Sequence, residues 1–223
     1  MKLVVTIISN HAYRRRRDAV RDTWLKHLPP GTPYFFYLGK GDTELEPDVL
    51  ETPFEDTRAA NAHKTHFAFN RALQKYEFDW LFRVDDDTFV VPERIPSLLW
   101  EPKAEMIGGE CMWQWGWSTG GAGLLFTRRL IQHMVDAGIG TEGGNGDDGW
   151  ACWRARQAGA QFFWTPRLRH QGDIRPHPNN DTVTGHYVSP REMRILQDLM
   201  DKGDPVWLRK TGIRVSDSQS GTH

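Results

Sequence analysis

The chain has 223 residues, 39% of them hydrophobic and 26% charged, which is enough for one domain with a full core. Its 28 Lys and Arg nearly balance 29 Asp and Glu, and a formal net charge of −1 disfavours nucleic acid or an anionic membrane as a bulk partner. No apolar run approaches the length of a membrane span.

The N-terminus enters a strand at once, with the continuous apolar run Leu3 to Ile8 reading as buried on both faces. That start leaves no room for a signal peptide. The expected compartment is the cytoplasm, or the Golgi or secretory lumen for a chain whose N-terminal anchor has been removed. A helix is predicted from about Arg14 to Lys26, with Val20, Trp24 and Leu28 on one side and Pro29-Pro30-Gly31 ending it. Tyr34 to Leu38 reads as a second strand stopped by Gly39, and Asp48 to Thr52 as a short third. A long helix over about 59–76 carries Phe69, Ala72, Leu73 and Tyr76 along one stripe.

Phe78 to Phe82 reads as another buried strand, with a short one beyond the carboxylates that follow it. Ile107 to Ser118 is extended and rich in tryptophan, and Gly120 to Gly123 breaks into Leu124-Leu125-Phe126. Helices are predicted at about 128–137 and 148–158, then a strand at Gln161 to Trp164. The last helix has a capping box, with Ser189 as N-cap, Pro190 in the first turn and Glu192 three residues on. It turns Met193, Leu196 and Met200 inward, ends at Gly203, and leaves a polar, frayed tail over 215–223. Alternating strands and helices without a repeat predict an α/β/α sandwich with a mostly parallel mixed sheet, one domain over residues 1–214.

The run Asp85-Asp86-Asp87 at the end of a buried strand is the main chemical signal. Adjacent like charges repel, so a fold keeps such a cluster where a cation or solvent relieves it. A hard divalent cation bound by oxygen ligands and an exposed acidic turn are both open readings. Asp147-Asp148 precede an amphipathic stretch, either as carboxylates favoured by a helix dipole or as a general base facing a cavity. His186 is a ligand only where other donors meet it, and otherwise structural. The run Arg14 to Arg17 offers charge to one phosphorylated ligand. Trp113, Trp115 and Trp117 either present flat faces to sugar rings or pack inward alternately. Cys111 and Cys152 form one bridge or stay as buried thiols.

An ordered set of motifs carries a resemblance. Arg17-Asp18-Ala19-Val20-Arg21-Asp22-Thr23-Trp24 is similar to R-x-A-(I/V)-R-x-T-W, and Phe54-Glu55-Asp56-Thr57 with His63-Lys64-Thr65 to a D-x-Y…K-T segment. Val84 to Val90 carries a DDD motif, Thr119-Gly120-Gly121-Ala122-Gly123 is T-G-G-A-G, Asp147-Asp148 is a later acidic pair, and His186-Tyr187-Val188-Ser189-Pro190 is H-Y-V-x-P. In this order the set resembles the Fringe-like beta-1,3-glycosyltransferases, most closely their core-1 galactosyltransferase-like branch.

The resemblance implies a GT-A fold, a UDP-sugar donor and manganese (or magnesium), with a carbohydrate or glycosylated acceptor as the partner. By position it implies Asp87, Asp85 and His186 as metal ligands, and Asp85 and Asp86 also as donor contacts. Arg17, Arg21 and Lys64 fall where the family meets the nucleotide, and Trp117, Gly120, Gly121 and Ala122 fall on the acceptor side. The catalytic base is implied to be Asp148 or Asp147: the second position is the better match, and the choice stays open because Gly149-Trp150-Ala151-Cys152 departs from the family's usual continuation. The implied reaction is an inverting transfer of a hexose or N-acetylhexosamine to a hydroxyl, forming a beta-1,3 linkage. A metal-dependent phosphohydrolase built on Asp85, Asp87, Asp148 and His186, and a carbohydrate-binding protein using the tryptophans, are the alternatives.

Overall fold

The computed structural model describes residues 1–112, 117–140, 146–170 and 181–202. In chain order it begins with β1 (Leu3–Ile8), α1 (Arg14–Asp22), β2 (Tyr34–Lys40), β3 (Val49–Glu55), α2 (Asn61–Lys75) and β4 (Trp80–Asp85). Short strands follow at β5 (Phe89–Val90), β6 (Met106–Gly109), β7 (Cys111–Met112) and β8 (Trp117–Ser118), then β9 (Leu124–Thr127) and helices α3 (Arg128–Ala137) and α4 (Asp147–Gln157). The last elements are β10 (Gln161–Trp164), β11 (Leu168–Arg169), β12 (Thr184–Gly185) and α5 (Pro190–Asp201).

Seven strands form one sheet in the order β10-β6-β9-β4-β1-β2-β3. Neighbours run parallel except at β9, which is antiparallel to both β4 and β6. The apolar run of β1 fills two cores because successive side chains point to opposite faces: Val5 and Ile7 to one, Val4 and Ile8 to the other. Val20 of α1 and Met193 and Leu196 of α5 close the first face over Phe36 and Phe82. Phe69 of α2, Ile131 of α3 and Trp150 of α4 close the second over Tyr37 and Phe126. The result is the expected three-layer α/β/α arrangement.

Local departures from the sequence reading have tertiary causes. Helix α1 stops at Asp22, where Thr23 leaves helical torsions at φ −113 and ψ −110 and a 3-10 turn over Trp24–His27 takes over. That turn places Trp24 wholly inside, its indole N–H donating to the Thr88 carbonyl at 3.1 Å. Strand β2 runs through Gly39 to Lys40, because a Cβ at Gly39 would lie 2.3 Å from the Asp56 Cα and only glycine admits that approach. The Ser189–Glu192 capping box is present at α5, which ends at Asp201; Gly203 and the tail lie outside the described residues. Cys152 is a buried free thiol, pushed up to about 12 by burial, and the Cys111 side chain lies outside the described residues. Among the described residues no helix is long and apolar enough to cross a membrane.

Candidate active site and metal centre

Strand β4 ends at the carboxyl edge of the sheet, where ligands gather in open α/β folds, and the acidic run turns there. Two neighbours pin this turn: the Asp86 N–H donates to the Ile8 carbonyl at 3.2 Å, and the Thr88 hydroxyl to the Gly121 carbonyl at 2.6 Å. His186 arrives from far along the chain on a small sheet in the order β11-β12-β5. There β12 lies antiparallel to β5 with Gly185 opposite Phe89, and the Val188 N–H donates to the Asp87 carbonyl at 2.9 Å. This ladder delivers the His186 Nε2 to 3.0 Å from Asp87 Oδ1 and 3.5 Å from Asp85 Oδ2.

One donor atom from each of Asp85, Asp87 and His186 lies within 4.8 Å of the others. Two carboxylates and one imidazole form a hard, mixed O and N donor set that fits a divalent cation of the manganese class. Gly121 makes room for it, since a Cβ there would meet the imidazole Cε1 at 2.0 Å. Gly121→Ala is therefore expected to displace His186 and weaken manganese binding about tenfold or more, the size of a disturbed supporting contact. A manganese titration followed by electron paramagnetic resonance checks this.

Two arginines balance the acidic turn. Arg83, 2% exposed within β4, sets Nη1 at 2.6 Å from Asp85 Oδ1 and also pairs with Asp147. Burial opposes its charge, but Asp147 and Asp85 outweigh burial and hold it firmly protonated. Burial likewise disfavours the Asp85 carboxylate, yet Arg83 and His186 draw it down to about 2. His186 moves the other way, burial being outweighed by Asp85 and Asp87, to about 9. Asp86 is pushed up to about 7 by burial, against its bonds from Ser9 at 2.7 Å and Arg16 at 3.1 Å.

The pair Asp147-Asp148 opens α4, and the helical turn sends the two carboxylates to different places. Asp147 is 7% exposed and its Oδ2 takes both Arg83 and the Thr65 hydroxyl, so it anchors the helix to the sheet. Asp148 is half-buried, bonded to the Gly149 N–H at 2.8 Å, and its Cβ stands beside Gly120. Removing one partner of a buried pair strands the other charge, so Asp147→Ala is expected to cost about 3–5 kcal/mol of folding stability. Chemical denaturation measures it.

These groups surround a cleft of about 330 Å³. Of the residues singled out in the sequence, Lys64, Asp85, Asp86, Asp87, Gly120, Gly121, Asp147, Asp148 and His186 line it. Lys64 is 2% exposed and held by Asp56 Oδ1 at 3.1 Å. The structure does not bring Arg17, Arg21 or Ala122 to the lining. Arg17 bonds Glu46 at 3.2 Å and the Asn10 carbonyl at 2.6 Å, Arg21 bonds Asp48 at 2.7 Å, and Ala122 is fully buried. Trp113, Trp115 and the Trp117 side chain lie outside the described residues.

Arg16, Arg58, His170 and Tyr187 also line the cleft, without an individual role assigned from sequence. Arg16 belongs to the run of four arginines, where one helical turn decides which member faces the cleft. Tyr187 adopts φ 62, rare outside glycine, and stacks its ring on His186 at 3.8 Å between centroids. His170 places Nδ1 at 3.4 Å from His186 Nδ1.

Residues 15–117 match the galactosyltransferase family model. Among solved structures, the glycosyltransferase GlyE of Streptococcus pneumoniae TIGR4 is similar at a TM-score of 0.53 and 14% identity, over 85% of this chain and 55% of that one. A glycosyltransferase involved in the glycosylation of the major capsid of PBCV-1 is similar at 0.55 and 11% identity, over 89% and 100%. The galactosyltransferase LgtC, in complex with donor and acceptor sugar analogs, is similar at 0.50 and 10% identity, over 84% and 87%. The chain thus spans little more than half the length of GlyE. It has the GT-A glycosyltransferase fold, and over residues 15–117 it carries the sequence pattern of the galactosyltransferase family.

Proposed function

We propose that the chain is an inverting, metal-dependent glycosyltransferase that moves a hexose or N-acetylhexosamine from a UDP-sugar to an acceptor hydroxyl, forming a beta-1,3 linkage. Residues 1–214 would form its single catalytic unit. The observation that carries the reading is the meeting of Asp85, Asp87 and His186 in a cleft that Asp148 also lines. The first three would hold manganese (or magnesium). A bound cation supplies positive charge to the departing diphosphate.

Within the cleft Lys64 and Arg58 add cationic charge for the phosphates, and fixed charges in a recessed site stabilise a leaving anion without reorganising solvent. Asp148 accepts the proton of the acceptor hydroxyl as that oxygen attacks the anomeric carbon. Asp147 does not compete for this task, since it is engaged by Arg83 and Thr65. One available carboxylate on the acceptor side suits a single displacement with inversion. The phosphohydrolase alternative calls for two close metals, whereas among the described residues one group of three donors is present. The acceptor side would be formed by Gly120, Gly121 and the Trp117 region.

The test is a panel of UDP-sugars in thermal unfolding with and without manganese. UDP and one UDP-sugar are expected to stabilise the protein only with the cation, by about 2.7 kcal/mol at a hundredfold excess over Kd. No stabilisation by any of them would sink the reading.

A further inference from the structure

Arg16 is the guanidinium of α1 that reaches the cleft. Its Nη1 lies 3.1 Å from Asp86 Oδ1 and 3.0 Å from Asp87 Oδ2, its guanidinium rests over the Tyr13 ring at 4.2 Å, and its side chain stays 33% exposed. Asp87 therefore divides its two oxygens, Oδ1 toward the His186 imidazole and Oδ2 toward Arg16. Two other cations of the helix are engaged elsewhere, Arg17 with Glu46 and Arg21 with Asp48.

We infer that Arg16 is a donor-binding residue that exchanges partners, leaving the Asp86–Asp87 carboxylates for the diphosphate of the nucleotide sugar when donor and cation enter together. The inference rests on the transferase reading and deepens it. A fixed positive charge on one oxygen of Asp87 opposes a divalent cation at the other, so the cation binds poorly alone. A diphosphate brings the stronger, forked anion that a guanidinium prefers. Once Arg16 turns to it, Asp87 is released for the metal. Each ligand then raises the affinity of the other by the same factor, as linkage requires. The half-buried side chain, open to solvent over a third of its area, and its aromatic rest permit that turn without disturbing α1, which Arg17 and Arg21 hold in place.

The measurement is a manganese titration by electron paramagnetic resonance and a UDP titration by calorimetry at saturating manganese, on wild type, Arg16→Gln and Arg16→Lys. Arg16→Gln is expected to bind manganese alone about tenfold more tightly and UDP about tenfold more weakly, a pair of opposite shifts. Arg16→Lys, which keeps the charge without the fork, is expected to bind manganese alone as wild type does while remaining weak for UDP. Equal affinities in Arg16→Gln and wild type would overturn the inference. So would a loss of both in Arg16→Gln, the mark of a purely structural side chain. A wild type that binds manganese and UDP under neither condition would sink the transferase reading, and the exchange with it.

Discussion

Asp148→Asn is expected to lower the rate of sugar transfer by about 10²–10⁴-fold, the usual contribution of a positioned general base. It is expected to leave manganese binding, UDP binding and folding stability close to wild type. The separation follows from geometry: an amide oxygen accepts the Gly149 N–H as the Asp148 carboxylate does at 2.8 Å, and only the long 3.4 Å contact from the Gly120 N–H to the second oxygen is given up. Single-turnover transfer with a radiolabelled donor, beside UDP calorimetry, reads both quantities. Loss of UDP affinity together with the rate would place Asp148 among the donor contacts and move the base elsewhere. The neighbouring substitution behaves in the opposite way, since Asp147 carries the buried partner of Arg83 and its removal is expected to act on stability.

Asp87→Ala is expected to weaken manganese binding by about a hundredfold or more, because loss of a supporting contact alone costs about 10–100-fold and a direct ligand costs at least the upper end. UDP stabilisation in manganese should vanish with it. His186 loses its 3.0 Å partner and Arg16 its 3.0 Å partner in the same substitution. Both cations then face Asp85 and Asp86, so the loss in metal affinity carries no compensating gain. Retained manganese-dependent stabilisation by UDP would remove Asp87 from the ligand set.

Much of this architecture is legible in the amino-acid sequence. The acidic run at the end of a buried strand, the capping box at Ser189 and the alternation of strands and helices follow from periodicity and local chemistry, which act over a few residues. What escapes depends on contacts distant in sequence. Nothing in Leu124-Leu125-Phe126 states that β9 runs antiparallel, since a fully buried apolar run reads the same in either direction. The early end of α1 is set by Trp24 reaching Thr88, and the passage of β2 through Gly39 by its approach to Asp56. Motif position places Arg17 and Arg21 with the donor, but Glu46 and Asp48, on the segment before β3, hold them away from the cleft. Arg16, one residue earlier and about a hundred degrees around the helix, faces the carboxylates. The positive φ of Tyr187 has no local signature in a tyrosine.

The β5–β12 ladder also orders events in time. A polypeptide is synthesised from its N-terminus, so the residues of the acidic turn and β5 are made well before those of β12 that pair with them. Throughout that interval the imidazole that will balance Asp87 has not been made, whereas Arg16 on the first helix already has. A domain folds as a unit, so a nascent chain halted before Thr184 would lack both the imidazole that faces Asp87 and the helix α5 that closes one face of the sheet.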